Sequence, residues 1–433
     1  MPALPPVAAT AAELGDASSL WRHHDFRRLW AGDTISQFGT QLSQLALPVL
    51  AVTVLHAGPQ EMGLLTAAET LAFLVVGLPA GAWVDRWPKK RVLIAGDVAR
   101  AMAFGSIPVA WTLGRLSLGQ LYLVALVAGI ATVFFDVAYQ SYLPAIVRTD
   151  QVVDGNAKLQ ASQSVAQVAG PAAGGALLRV VAAPALIAAD AVSYAFSALF
   201  VSRIGHTETP PPREGRRPLR VEIGEGLRFV VRNPLLSRIT ACTSINCFFS
   251  GVLQALFVLY VLQVLGLGAE TIGVVWALGA VGGLAGALLS TRIARSVGEG
   301  RTIPASALVC GLASLCTPLA AAVSGTVPRT ALLTAGTIVF WGCVVVYNVT
   351  QVSFRQRLCP PALLGRMNAS VRFIVWGVLP IGGLVGGFLG GTIGILPTIW
   401  VGAGGQVLAA LPVLLSPLSG LRDLPRELDA AGS

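Results

Sequence analysis

A chain of 433 residues that is 54% hydrophobic and only 12% charged, with mean hydropathy +0.71, cannot hide its apolar surface inside a water-soluble core. A bilayer must take the excess, so the soluble enzyme and soluble binding-domain classes fall away. The net charge of +9 and pI near 9.7 would suit nucleic acid, but the basic residues sit in membrane-flanking segments, which excludes that partner too.

In chain order, residues 1–25 form a polar, Ala/Pro-rich tail, read as disordered and cytoplasmic, without the apolar segment and cleavage site of a signal peptide. Helical spans, each of roughly 20 mostly apolar residues, are predicted at 28–54, 61–84, 91–113, 118–143, 157–179, 183–203, 235–262, 270–291, 302–323, 330–354, 369–394 and 397–418. They group into a six-helix bundle over 26–204, a cytoplasmic linker over 205–234, a second six-helix bundle over 235–418 and a cytoplasmic tail over 419–433. The linker is basic and Pro-rich (TETPPPREGRRP). Its second part, LRVEIGEGLRFVV, alternates apolar and charged residues and suits either a helix lying on the membrane surface or a plain connection.

Positive residues orient the chain. Of the 30 Lys and Arg residues, only Arg115, Arg179 and Arg329 fall outside if both termini are cytoplasmic, and Arg100 lies within a span. The rest, Arg372 included, are expected to face the cytoplasm, the pattern of a multi-pass protein of the plasma or inner membrane. The halves also repeat. NAKLQASQSVAQVAGPAAGG (156–175) aligns without gaps on NASVRFIVWGVLPIGGLVGG (368–387), and the same register carries Ser141 onto Ser353 and Asp136 onto Asn348. Two related bundles place a substrate site between them near the midplane, with access alternating as one rocks against the other.

GAWVDRWPKKR, Gly81 to Arg91, closes one apolar run and opens the next through a tight basic turn. It resembles the loop signature between spans two and three of the major facilitator superfamily. Gly81, Asp85, Arg86, Lys89 and Lys90 match, Arg91 extends the basic run, and Pro88 stands where the family usually has Gly. The resemblance implies an all-α integral membrane protein of 12 transmembrane helices, built as two six-helix bundles with pseudo-two-fold symmetry. For Asp85 it implies contact with the N-terminus of span eleven, and for the bases a network with an acid on span four, for which Asp136 is the candidate. The corresponding loop of the second half, TRIARSVGEGR (291–301), lacks the Asp and keeps scattered arginines.

AQVAGPAAGG (166–175) resembles the superfamily's antiporter signature through Gly170, Pro171, Gly174 and Gly175, with Ala166 replacing its first Gly. The same small residues also suit a plain tight helix contact. HDFRRLWAGDTISQFGTQLSQLALPVLAV at the first span and LPAIVRTDQVVDGNAKLQ after the fourth resemble the exporter subfamily of enterobactin-type siderophore exporters and macrolide-type drug efflux pumps.

An ionisable group at membrane depth costs about 2.5 kcal/mol or more, so each calls for a reason. Five carboxylates qualify, all in the first half: Asp33, Glu69, Asp97, Asp136 and Asp190. Asp33, Gln37, Gln41 and Gln44 follow helical spacing on a stripe that faces either a central cavity or a neighbouring helix. Asp33 and Glu69 lead as proton-coupling candidates, and Asp136 joins them besides its latch role. Asp97 and Arg100, three apart, suit a structural pair, and Asp190 with Ser193 and Tyr194 a satisfied polar cluster. The second half offers neutral groups for an amphipathic substrate: Asn246, Gln254, Trp276, Tyr347, Asn348 and Gln351.

Four scattered histidines and six cysteines without C-x-x-C give no metal site, and without a P-loop ATP is not the direct energy source. The expected protein is no enzyme and needs no cofactor. It is a monomeric secondary transporter in the lipid bilayer that expels a small organic molecule (a drug, siderophore or other natural product) against a proton gradient. A proton-coupled nutrient importer and a non-transporting membrane sensor are the alternatives.

Overall fold

The computed structural model describes residues 20–84, 86–148, 151–206, 208, 219–360 and 364–420. Every regular element among them is helical. The first bundle comprises α1 (His24–Thr53), α2 (Pro59–Val75), α3 (Gly77–Val84), α4 (Lys89–Thr112), α5 (Leu118–Ile146), α6 (Val152–Leu177) and α7 (Ala183–Ser202). After the linker helix α8 (Leu219–Arg232), the second comprises α9 (Pro234–Leu259), α10 (Ala269–Val297), α11 (Glu299–Ser314), α12 (Cys316–Leu319), α13 (Thr326–Leu358), α14 (Leu364–Gly377), α15 (Leu379–Thr392), α16 (Ile395–Leu408) and α17 (Leu411–Leu414).

Among the described residues, nine helical units are long and apolar enough to cross a membrane. The expected first, second and fifth spans are helical as well, but their sequences dilute that signal. The Gln- and Ser-rich stripe does so in α1, the polar start in α6, and a break at Val76 shortens α2. The count of twelve therefore stays an expectation, while the two-bundle fold does not depend on it. Span eleven also divides, at Val378, because Pro380 supplies no N–H and its ring crowds the preceding turn. Leu288 of α10 is 77% exposed, as suits a helix face turned to lipid.

The two ends of the molecule are built differently. Away from the basic loops, one continuous core joins the halves: Leu45–Val52 of α1 packs with Leu256 and Leu259 of α9 and Ile272 and Val275 of α10. At the basic-loop end the cores are separate. One holds Phe26, Leu93, Tyr142 and Val201 of the first bundle, the other Leu236, Ile303, Phe354 and Met367 of the second. The halves are thus welded at one end and parted at the other.

Two differences from the sequence reading, and one choice it left open, have local causes. Residues 20–25, expected within the disordered tail, are ordered: Leu20 is buried and Trp21 packs edge-on against Trp30, ring centroids 4.8 Å apart. The amphipathic linker segment is helix α8, docked on the second bundle. Its Val230 joins the buried cluster of Leu235 and Leu236, and Glu225 pairs with Arg366 on α14. Arg372, expected in a cytoplasm-facing position, sits within α14 with its guanidinium 6.0 Å from the Phe73 ring of α2.

Candidate functional site

The buried charges of the first bundle converge on Arg100 of α4. Its Nη2 donates to Asp97 Oδ1 at 2.6 Å, with side-chain exposures of 6% and 0%. The guanidinium lies between two aromatic faces, 4.2 Å from the Phe135 ring of α5 and 4.4 Å from the Tyr194 ring of α7, a geometry that adds cation–π attraction out of water. Asp33 of α1, Asp136 of α5 and Asp190 of α7 also lie in the electrostatic field of Arg100. One guanidinium cannot neutralise four carboxylates, so the net charge of this hub changes with every proton bound or lost.

Small residues let the helices close on the hub. A Cβ at Gly39 of α1 would collide with Ser193 Oγ and lie 2.5 Å from Asp190 Oδ1. Beside it Thr40 and the Tyr194 hydroxyl hydrogen-bond at 2.8 Å, and Ser193 Oγ lies 3.1 Å from Asp190 Oδ1. Gln37 donates to Asp33 at 3.4 Å, and Tyr139 stands next to the same carboxylate. Ser197 stands next to Asp97 and Ser43 next to Asp190, and among the described residues Asp97 Oδ2 and Asp190 Oδ2 are buried without a well-aligned donor, so the network keeps capacity for a proton.

The other expected residues distribute around this centre. Glu69 is half-buried on α2, and no hydrogen bond to its carboxylate occurs among the described residues. Asp136 lies in the fields of Arg100 and of Arg372 across the interface. Gln41 packs on α6 through its stem, its Cγ 2.9 Å from a Cβ placed at Gly170. Tyr347 is buried, bonding Thr243 at 2.9 Å and the Ile239 carbonyl at 3.2 Å. Asn348 is exposed and accepts from Gln351 at 3.3 Å. Gln254 is exposed on α9, and Asn246 stands beside Cys310. Sequence reasoning missed the convergence itself: Asp97 and Arg100 explain each other locally, and nothing in their spacing announces Asp33 or Asp190.

The antiporter-like residues divide between two faces. Gly170 and Gly174 meet Gln41 and Leu42 of α1. Pro171 and Gly175 meet α10, where a Cβ at Gly175 would lie 3.1 Å from both Glu270 Cα and Gly273 Cα. A matching seam joins α2 to α15, where a Cβ at Gly63 would lie 2.6 Å from Gly387 Cα. Both seams lie at the welded end and permit the backbone proximity common between membrane helices.

At the parted end, Asp85 lies outside the described residues. Pro88, the departure from the loop signature, is the N-cap of α4 with φ −61°, which its ring favours. The Glu208 carboxylate accepts from Lys89 N and Lys90 N, both at 2.6 Å, and Lys90 Nζ donates to the Ile204 carbonyl at 2.6 Å. Trp83 and Trp87 pack on Phe134, each 6.0 Å away between centroids. Arg86 sits in this exposed turn, Gly81 lies in the half-buried last turn of α3, and Arg91 lies in the first turn of α4.

Two repeated helical bundles, welded at one end around a charged interior, define a multi-pass membrane carrier. The Major Facilitator Superfamily model matches residues 29–380, and the chain belongs to that family. It is 27% identical to the enterobactin exporter EntS of Escherichia coli over 428 residues, covering 96% of this chain and 98% of that protein. It is 21% identical to macrolide efflux protein A of Streptococcus pyogenes over 407 residues, covering 92% and 97%. The structure of a bacterial homologue of the iron transporter ferroportin, solved in an inward-facing state, superposes with TM-score 0.73 at 18% identity. That match covers 93% of this chain and all of the other. The resemblance to transporters with efflux names thus extends over nearly the whole chain.

Proposed function

We propose that this transporter exports a small amphipathic organic molecule in exchange for protons, with both termini in the cytoplasm of a plasma or inner membrane. The observation that carries the reading is the hub of four carboxylates around Arg100 in a bundle interior. Maintaining unbalanced charge at membrane depth is costly and serves a carrier of protons far better than a scaffold. Protons arriving from outside discharge the hub and Glu69, substrate leaves, and the unloaded halves return to the cytoplasm-open arrangement. The split core at the basic-loop end agrees with that resting state, because short basic loops remain cytoplasmic. Neutral groups of the second bundle, Gln254 and Asn348 among them, suit a large cargo without a fixed charge. The efflux names of the relatives support export and a drug, siderophore or other natural product as cargo.

The test uses everted vesicles energised by a proton gradient and supplied with enterobactin, a macrolide or ethidium. Export predicts accumulation that collapses with the gradient, and at least tenfold slower accumulation in Asp33→Asn or Glu69→Gln. Uptake confined to right-side-out vesicles would refute export, and gradient-independent transport would refute proton coupling.

A further inference from the structure

The geometry points to a binding site for one anionic phospholipid of the leaflet at the basic-loop end, held between α4 and α5 of the first bundle. It needs only the bilayer, not the direction or the driving ion of transport. A groove of about 530 Å³ opens there, with Ala95 and Ala99 of α4 facing Val127 and Ile130 of α5, and with Trp87 and Arg91 at its mouth. Arg91, Ala95 and Ala99 recur every four residues and so follow one face of α4. At the rise of a helix the groove climbs about 12 Å beyond the arginine. One leaflet of a hydrocarbon core ~30 Å thick has nearly that depth. The length and the apolar walls suit a single acyl chain.

The mouth is suited to a phosphate. Tryptophan rings favour the headgroup level of a bilayer. Trp83 and Trp87, both exposed, are each held 6.0 Å from the Phe134 ring, which fixes the rim of the groove. Arg91 is exposed beside them, and so is Arg86 in the preceding turn. Among the described residues neither arginine has an ion-pair partner. Glu208, docked at the start of α4, gives its carboxylate to the Lys89 and Lys90 backbone N–H groups instead. An anion from outside the chain completes the arginines, and at a membrane surface the lipid phosphodiester supplies it. A zwitterionic headgroup brings its own cation, whereas an anionic one leaves a net charge for the arginines to meet, so the pair selects the anionic class.

The groove is closed toward the bundle interior. A Cβ at Gly96 would lie 3.4 Å from the Ala131 carbonyl oxygen and 3.5 Å from Phe135 Cβ, so α4 and α5 touch along its floor. The buried Arg100 is nine residues from Arg91, half a turn around the helix, and looks into the hub from the far side. A molecule in the groove therefore belongs to the membrane and not to the cargo. Nor does the fold alone create the site. The repeat register carries Arg91 onto Ile303 and Gly96 onto Leu308, and Ile303 is fully buried in the core of the second bundle.

Native mass spectrometry of the full chain tests the site, with phosphatidylglycerol, phosphatidylethanolamine or phosphatidylcholine of identical chains added to the detergent. One phosphatidylglycerol should be retained with roughly fivefold to twentyfold preference over either zwitterionic lipid. Arg91→Gln should cut that preference about fivefold. Ala95→Phe with Ala99→Phe fills the groove and should abolish retention of this lipid without changing the unfolding temperature in lipid-free detergent. Val127→Phe fills it from the α5 side and repeats the test if the double variant folds poorly. Equal retention of the three lipids, a preference that survives Arg91→Gln, or a lipid that survives both groove-filling changes overturns the site. Displacement by excess inorganic phosphate would show that no chain is held, and displacement by ethidium would hand the groove to cargo; either result overturns it as well.

Discussion

The two bundles treat equivalent positions in opposite ways. The repeat register carries Phe135 onto Tyr347, Asp136 onto Asn348 and Tyr139 onto Gln351. In the first bundle this neighbourhood surrounds the Asp97–Arg100 pair and its attendant carboxylates. In the second, Tyr347 bonds Thr243 and a backbone carbonyl, Asn348 bonds Gln351, and Cys242 and Cys310 fill the nearby space. Neutral groups need no counter-ion, and an oxygen left over, such as Gln351 Oε1, costs less than an unpaired charge. Charges in the same architecture must be collected around a common partner. The comparison separates a bundle that buries carboxylates around an arginine from one that buries neutral polar groups at the matching positions.

The sharpest way to break this division is to remove Arg100. Arg100→Met leaves Asp97 buried without its cation and should cost about 3–5 kcal/mol of stability. The effect would register as a lower unfolding temperature of the purified protein. Adding Asp97→Asn should recover much of that loss without restoring proton-driven efflux; full recovery of efflux would show that the pair is merely structural. A smaller effect is expected from Gly39→Val, which overpacks α1 against Ser193 and Asp190 for about 1–3 kcal/mol. It should disturb transport along with stability, since the hub loses its spacing. The mildest change belongs to the second bundle: Tyr347→Phe removes hydrogen bonds worth about 1 kcal/mol. The pH dependence of efflux should stay unchanged while apparent affinity for the exported probe falls by no more than tenfold. A shifted pH profile there would erase the distinction between the bundles.

Much of the architecture was legible because membranes impose simple rules. Apolar runs, basic loops and the Asn156/Asn368 repeat located helices and halves before any contact was known. The pairing of Asp97 with Arg100 was readable from i,i+3 spacing, and the close contacts of Gly170 to Gly175 from their small side chains. The hub was not, because Asp33, Arg100 and Asp190 meet only after α1, α4 and α7 pack, and Gly39 is one glycine among 48. Arg372 followed from counting charges as if each belonged to a loop, whereas its α14 backbone carries it up beside Phe73.

The docking of the linker bears on how force passes between the halves. Glu208 is fastened to the start of α4, and α8 is fastened to α14 through Glu225 and Arg366. If the halves rock as proposed, the movement passes through the glycine seams, where Gly63 meets Gly387 and Gly175 meets Gly273, and a chain cut within the linker should still transport as long as both pieces remain in the same membrane.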